Sequence, residues 1–128
     1  TVKNARERLG FTPPLFMVVS PEQKCNLKCP GCYAASDWKK ANQLDWDTFD
    51  RILTEQRERW GSYFTVISGG EPFLHPQFEE LNNFLDKFSF RTVILSNGIP
   101  LADARLVERV FGKFVDCHLA DHRSFVLR

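Results

Sequence analysis

Short apolar runs alternate with amphipathic segments along most of the chain, and this alternation limits the possible fold more than any other feature. Leu15-Phe16-Met17-Val18-Val19, Tyr63-Phe64-Thr65-Val66-Ile67 and Thr92-Val93-Ile94-Leu95 each have the length and composition of a strand. The first sits between Pro14 and Pro21, as expected for a strand buried on both faces. Between these runs the period becomes helical. Asp45 or Asp47 can cap a helix carrying Phe49, Ile52, Leu53 and Trp60 on one face, with Gly61 to stop it. Pro76 suits the first turn of a second helix, with Phe78, Leu81, Leu85 and Phe88 at helical spacing. Asp103 can cap a third, bearing Leu106, Val107, Val110 and Phe111 and ending at Gly112. Residues 114–119 read as a fourth strand, interrupted by Asp116 and His118. The expected fold is therefore α/β, a parallel sheet with right-handed crossovers. Ligands in such sheets collect at the carboxyl ends of the strands.

At 128 residues the chain is one domain, and 43% hydrophobic residues with twelve phenylalanines suffice for a core. Seventeen basic residues face sixteen acidic ones, so no electrostatic case arises for nucleic acid or an anionic membrane. No apolar run approaches the roughly 18–20 residues of a membrane span. The N-terminus has charges but no apolar core or cleavage site of the signal-peptide kind. Lacking an initiator methionine, it is expected to be a segment of a longer chain or a processed one. Three of the four cysteines are packed into one loop, which opposes a disulfide framework and points to a reducing cytoplasm.

That loop, Cys25-Asn-Leu-Lys-Cys29-Pro-Gly-Cys32, is followed at once by Tyr33. An iron–sulfur cube normally takes four protein ligands, so a cube held by three leaves one iron for something else. Open positions are where metal sites do chemistry, whereas closed ones mostly hold structure. Three thiolates must reach three corners of a small cube, which demands a tight irregular loop, and Pro30-Gly31 supplies a turn. Lys24 and Lys28 flank the ligands; they either offset an anionic cluster or point into solvent. Zinc sites also use closely spaced cysteines. In that non-enzymatic reading Cys117 or His118 would supply the fourth ligand, or the chain would be an inactive remnant.

Two further motifs lie immediately after strands: Gly69-Gly70-Glu71-Pro72 and Ser96-Asn97-Gly98. The glycines permit positive φ and close approach to a ligand, and Pro72 ends strand pairing. Ser96-Asn97-Gly98 is as readily an ordinary turn as a ligand-binding one. His75 reads as a helix-entry residue, Cys117 as a buried apolar one, and His118 and His122 as incidental.

The cysteine spacing together with Gly69-Gly70-Glu71-Pro72 resembles the radical S-adenosylmethionine (radical SAM) superfamily. The resemblance implies that Cys25, Cys29 and Cys32 hold a 4Fe–4S cluster whose fourth iron is chelated by S-adenosylmethionine. It implies reductive cleavage of that cofactor to a 5′-deoxyadenosyl radical, which takes hydrogen from a substrate. Gly69, Gly70, Glu71 and Pro72 would meet its methionyl end, with Glu71 or nearby carbonyls accepting from the ammonium. Tyr33 would pack near the cluster or the adenine, and Ser96 and Asn97 would lie near the cofactor. Where the family often has an aromatic residue before the third cysteine, this chain has Gly31, which leaves the adenine contact open. The Cys-Tyr ending recurs in members that modify peptides or other large substrates, and a flavodoxin or ferredoxin would supply the electron.

Family cores resemble partial (β/α) TIM-like barrels of about six strand–helix units. Here residues 15–128 would form an incomplete core, truncated after the fourth strand, behind an N-terminal extension at 1–14. The expected product is a fragment that does not carry full activity alone.

Overall fold

Three strands, β1 (Met17–Glu22), β2 (Phe64–Gly69) and β3 (Arg91–Ser96), lie side by side and parallel. The computed structural model describes the backbone of residues 1–111, 117–120 and 123–127, and the side chains of residues 1–109. Helices fill the crossovers: α2 (Trp46–Glu55) between β1 and β2, and α3 (Phe78–Lys87) between β2 and β3. A first helix, α1 (Val2–Leu9), precedes β1, and α4 (Ala104–Phe111) follows β3. The strand–helix alternation is that of a partial β/α barrel with an open sheet.

The register explains the core. Met17, Thr65 and Thr92 form one row across the sheet, and Val19, Ile67 and Ile94 the next. The second row is buried against Phe49 and Leu53 of α2 and Leu81 and Leu85 of α3. The intervening row, Val18, Val66 and Val93, faces the other side, where Val18 is 56% exposed. The expectation that the first strand is buried on both faces is therefore corrected: only its helix-facing side is covered.

The first strand also begins two residues later than expected and runs through Pro21. It is an edge strand, and its register shifts between Val19 and Glu22. An edge and a bulge are where a residue without an N–H is tolerated. Leu15 and Phe16, expected within the strand, precede it and are exposed.

Asp45 is the cap of α2: its carboxylate accepts from the Thr48 N–H at 2.7 Å and from the Thr48 hydroxyl at 3.1 Å. These bonds hold its carboxyl below the usual carboxylate range, the backbone N–H being the larger cause. The last five residues before Gly61, Gln56–Trp60, widen into a π turn. Gln56 is fully buried there, donating to Phe64 O at 2.8 Å and accepting from the Thr65 hydroxyl at 3.0 Å.

Helix α3 starts at Phe78, so Pro76 precedes it rather than occupying its first turn. Asp103 does cap α4, accepting from the Arg105 N–H at 2.9 Å. Of the expected fourth strand, 114–116 lie outside the described residues, and β4 is Cys117–Ala120. It does not pair with β3. A fifth strand, β5 (Arg123–Leu127), runs antiparallel between them, giving the order β1-β2-β3-β5-β4. Gly112 and His122 lie outside the described residues, as do the side chains of Val110, Phe111, Cys117 and His118. Among the described residues no helix is long and apolar enough to cross a membrane.

Candidate functional site

The chain leaves β1 at Glu22, makes an excursion that carries all three loop cysteines, and returns beside its own exit. The base is tied by Gln23 N–H to Asn42 O at 3.1 Å and Leu44 N–H to Pro21 O at 2.9 Å. Glu22 closes it from within. Its side chain is fully buried, accepting from the Lys24 N–H at 2.7 Å and from the Gln43 carboxamide. No motif flagged this glutamate in the sequence; its partner Gln43 is 21 residues away.

Within the excursion, two turns follow one another. Cys32 N–H donates to Cys29 O at 3.2 Å across Pro30-Gly31, where Gly31 has φ 71°. That positive φ is the reason for glycine at the turn. Ala35 N–H then donates to Cys32 O at 3.0 Å. Cys25 is anchored by its own N–H to Asp37 O at 3.1 Å. All three cysteines are free thiols; Cys29 is exposed and the other two are half-buried.

The end of β2 packs directly against this loop. Gly70 N–H donates to Glu22 O at 2.6 Å and Glu71 N–H to Lys24 O at 2.9 Å. A Cβ at Gly70 would lie 2.3 Å from Lys24 O, and one at Gly69, where φ is 106°, would lie 2.6 Å from Glu22 O. The close approach that requires these glycines is thus between two stretches of the chain itself.

The sequence-predicted residues divide into two layers. Cys25, Cys29, Cys32, Tyr33, Gly69, Gly70, Ser96 and Asn97 all line one cleft of about 160 Å³. A volume on the order of 150 Å³ admits a benzene-sized group, so the cleft holds more than a lone ion. Glu71 and Pro72 are buried and do not line it. The Glu71 carboxylate instead accepts from Asn97 N–H at 2.8 Å, Phe73 N–H at 3.2 Å and the Ser96 hydroxyl, 3.0 and 3.1 Å from its two oxygens. Burial pushes its carboxyl above the ordinary range, and these hydrogen bonds only partly offset that.

Tyr33 is 68% exposed, yet its hydroxyl is fixed between Ser68 Oγ and Gly69 N–H, the latter at 3.0 Å. Asn97 reaches the other arm of the loop. Its carboxamide donates to Asn26 Oδ1 at 2.6 Å and to the Cys25 sulfur at 3.6 Å, and the Leu27 N–H approaches the same sulfur at 3.4 Å. Asn26 carried no signal in the sequence. His75 is a helix-entry residue. Its Nδ1 accepts from Gln77 N–H at 3.0 Å, which leaves Nε2 to donate to Leu44 O at 2.7 Å.

A family model described as the radical SAM superfamily matches residues 19–119. The chain belongs to the radical SAM superfamily. Members of this superfamily use a 4Fe–4S cluster and S-adenosylmethionine. Among curated proteins it is 28% identical over 95 residues to the tungsten-containing aldehyde ferredoxin oxidoreductase cofactor-modifying protein of Pyrococcus furiosus. It is 28% identical over 96 residues to the PqqA peptide cyclase of Gluconobacter oxydans, and 33% identical over 89 to the Fe-coproporphyrin III synthase of Methanosarcina barkeri. These alignments take in 73%, 74% and 69% of this chain but 26%, 26% and 22% of the relatives, so the chain spans about a quarter of their length. The same fold occurs in the crystal structure of Streptococcus suis SuiB bound to precursor peptide SuiA. It superposes with a TM-score of 0.66 at 23% identity, over 84% of this chain and 25% of that one.

The donor set can be tested against a cluster. Among the described residues, no three His, Cys, Asp or Glu side chains converge closely enough to hold a single metal ion. Zinc draws each of its sulfurs to about 2.3 Å from one centre. A four-iron cube instead takes its thiolates at separate corners. Three free thiols around one cleft, one of them facing two N–H donors, are a donor set of the kind such a cube takes.

Proposed function

We propose that this chain supplies the cluster-binding and cofactor-binding part of a radical SAM enzyme. Cys25, Cys29 and Cys32 hold the 4Fe–4S cluster. Gly69, Gly70 and the adjoining backbone carbonyls receive the methionyl end of S-adenosylmethionine, and Ser96, Asn97 and Tyr33 border the rest of the cleft. When bound and reduced, the cluster supplies the electron that cleaves the sulfonium to methionine and a 5′-deoxyadenosyl radical for hydrogen abstraction. Glu71 serves this site from beneath: it fixes Ser96 and Asn97, and Asn97 fixes the loop. The observation that carries the reading is that three free cysteines and the Gly69-Gly70 strand end line one cleft.

The remainder follows from the same reading. Residues 15–128 form part of a core behind an extension at 1–14. The substrate is a peptide or another large molecule, the electron comes from a flavodoxin or ferredoxin, and the compartment is the reducing cytoplasm. One of the similar proteins, the PqqA peptide cyclase, is named for a peptide.

The test is anaerobic reconstitution with iron and sulfide, followed by electron paramagnetic resonance of the reduced protein. A 4Fe–4S signal that changes on adding S-adenosylmethionine is expected, with loss of the cluster in Cys29→Ala. Bound zinc without iron, or a Cys29→Ala protein that reconstitutes normally, would sink the reading.

A further inference from the structure

The cysteine excursion carries a charge that the rest of the chain does not. Residues 24–42 contain Lys24, Lys28, Lys39 and Lys40 against Asp37 alone, a net +3 in a chain of net +1, so the remainder is net −2. Among the described residues none of these four ammonium groups forms an ion pair; the ion pairs there join arginines to acids elsewhere. Asp37 spends one carboxylate oxygen on the Lys39 N–H at 2.8 Å. At the centre stands Trp38, 64% exposed, with the Lys24 ammonium 5.4 Å from its ring centroid. Leu27 adds a second exposed apolar side chain. An aromatic anchor inside a charged rim is the anatomy of a protein-docking surface.

This surface is also placed for electron entry. Trp38, Lys28 and Lys39 line a hollow that adjoins the cleft, and the two hollows have only Cys25 and Leu27 in common. Cys25 is thus reached from the cofactor cleft on one side and from the lysine-rimmed hollow on the other. We propose that this face docks an acidic one-electron carrier protein, with Cys25 as the point of electron entry. The proposal rests on the cluster assignment above. In the transfer the carrier is oxidised by one electron and the cluster is reduced by one, with no proton or group moved. A positive face in an otherwise slightly negative chain orients an acidic partner before contact and speeds encounter at low ionic strength. An acidic substrate would need the cofactor cleft, whereas this hollow shares only Cys25 and Leu27 with it.

Lys39 and Lys40 are the residues to change, because neither adjoins a cysteine ligand. Flavodoxin is titrated calorimetrically into the 128-residue chain at low and high salt, and reduction of the reconstituted cluster by flavodoxin is followed by stopped flow. Lys39→Glu with Lys40→Glu is expected to weaken binding and slow flavodoxin-driven reduction by about tenfold or more at low salt. Dithionite should reduce both proteins at equal rates, and the paired Arg substitutions should behave as wild type. Unchanged flavodoxin affinity in the Glu variant would overturn the proposal. So would a poly-glutamate peptide that binds this face while flavodoxin does not, which would reassign it to an acidic substrate. Failure of the cluster to assemble would sink the assignment beneath it, while calorimetry would still decide whether the face binds the carrier.

Discussion

The Asn97 carboxamide nitrogen lies 2.6 Å from Asn26 Oδ1, so the end of β3 grips the first arm of the cysteine loop across 71 residues of sequence. The same nitrogen lies 3.6 Å from the Cys25 sulfur. Asn97 is itself held by the buried Glu71 carboxylate through its backbone N–H. Glu71, Asn97 and Asn26 therefore form a chain of contacts from the strand ends to the ligand loop.

Replacing Asn97 by alanine removes both contacts to the loop, along with the Oδ1 that accepts from the Ile99 N–H, and leaves the Asn26 carbonyl oxygen without that donor. The expected cost is about 1 kcal/mol, typical of one hydrogen bond, seen as a fall of a few degrees in the thermal midpoint. Hydrogen bonds to the sulfurs help to set a cluster's potential. Loss of this donor should therefore move the reconstituted cluster to a more negative midpoint in a redox titration. A variant with unchanged melting and unchanged potential would show that the contact is incidental.

Glu71 gives stability a pH dependence whose sign is fixed by its raised pKa. The folded state holds this proton more tightly than the unfolded chain, whose value is near 4.5. The contribution is most favourable below that value and is lost as pH rises through the higher folded value. Glu71→Gln removes the titrating group. Measured by denaturant titration, wild-type stability relative to Glu71→Gln should be greater at low pH than at neutral pH. A difference that is flat across that range would contradict burial as the dominant cause.

The three parallel strands were legible because each is an apolar run whose rows Val19, Ile67 and Ile94 meet the same helices. The strand ends were legible for the same reason: cysteines and glycine pairs break the apolar pattern where the chain turns toward the cleft. Other features depended on contacts between distant residues. Glu22 and Asn26 look like ordinary polar loop residues until Gln43 and Asn97 are brought beside them. Helix α1 has only Ala5 buried and is docked by Arg8, which donates to Glu58 O and Arg59 O at 3.1 and 2.9 Å. No apolar period announces such a helix. The position of β5 between β3 and β4 is likewise a matter of pairing, which apolar runs do not encode.

Gly69 and Gly70 should not tolerate even a methyl group. At Gly69 the strain is twofold, a φ of 106° and a Cβ 2.6 Å from Glu22 O; at Gly70 the obstacle is Lys24 O at 2.3 Å. Both neighbours are backbone, so the β1 end and the loop would have to move. Gly70→Ala should cost about 1–3 kcal/mol, the usual range for overpacking, with a lower midpoint in urea and reduced iron retention. Wild-type stability and iron content together would mean that the two segments are not in contact.

Tyr33 pins the far arm of the ligand loop as Asn97 pins the near one. Its hydroxyl is hydrogen-bonded to Ser68 Oγ and accepts from Gly69 N–H, while its ring is largely exposed and adds little burial. The hydroxyl therefore matters more than the ring. Tyr33→Phe keeps the ring and withdraws the acceptor from Gly69 N–H, at a cost of about 1 kcal/mol. Amide exchange isolates the effect. The Gly69 N–H should lose protection selectively, while those of β3 remain as in wild type. The loosened loop should also release iron faster to a chelator. If Gly69 exchanges at the wild-type rate in Tyr33→Phe, this hydrogen bond does not hold the last cysteine against the strand end, and the loop must be fixed from the Asn97 side alone.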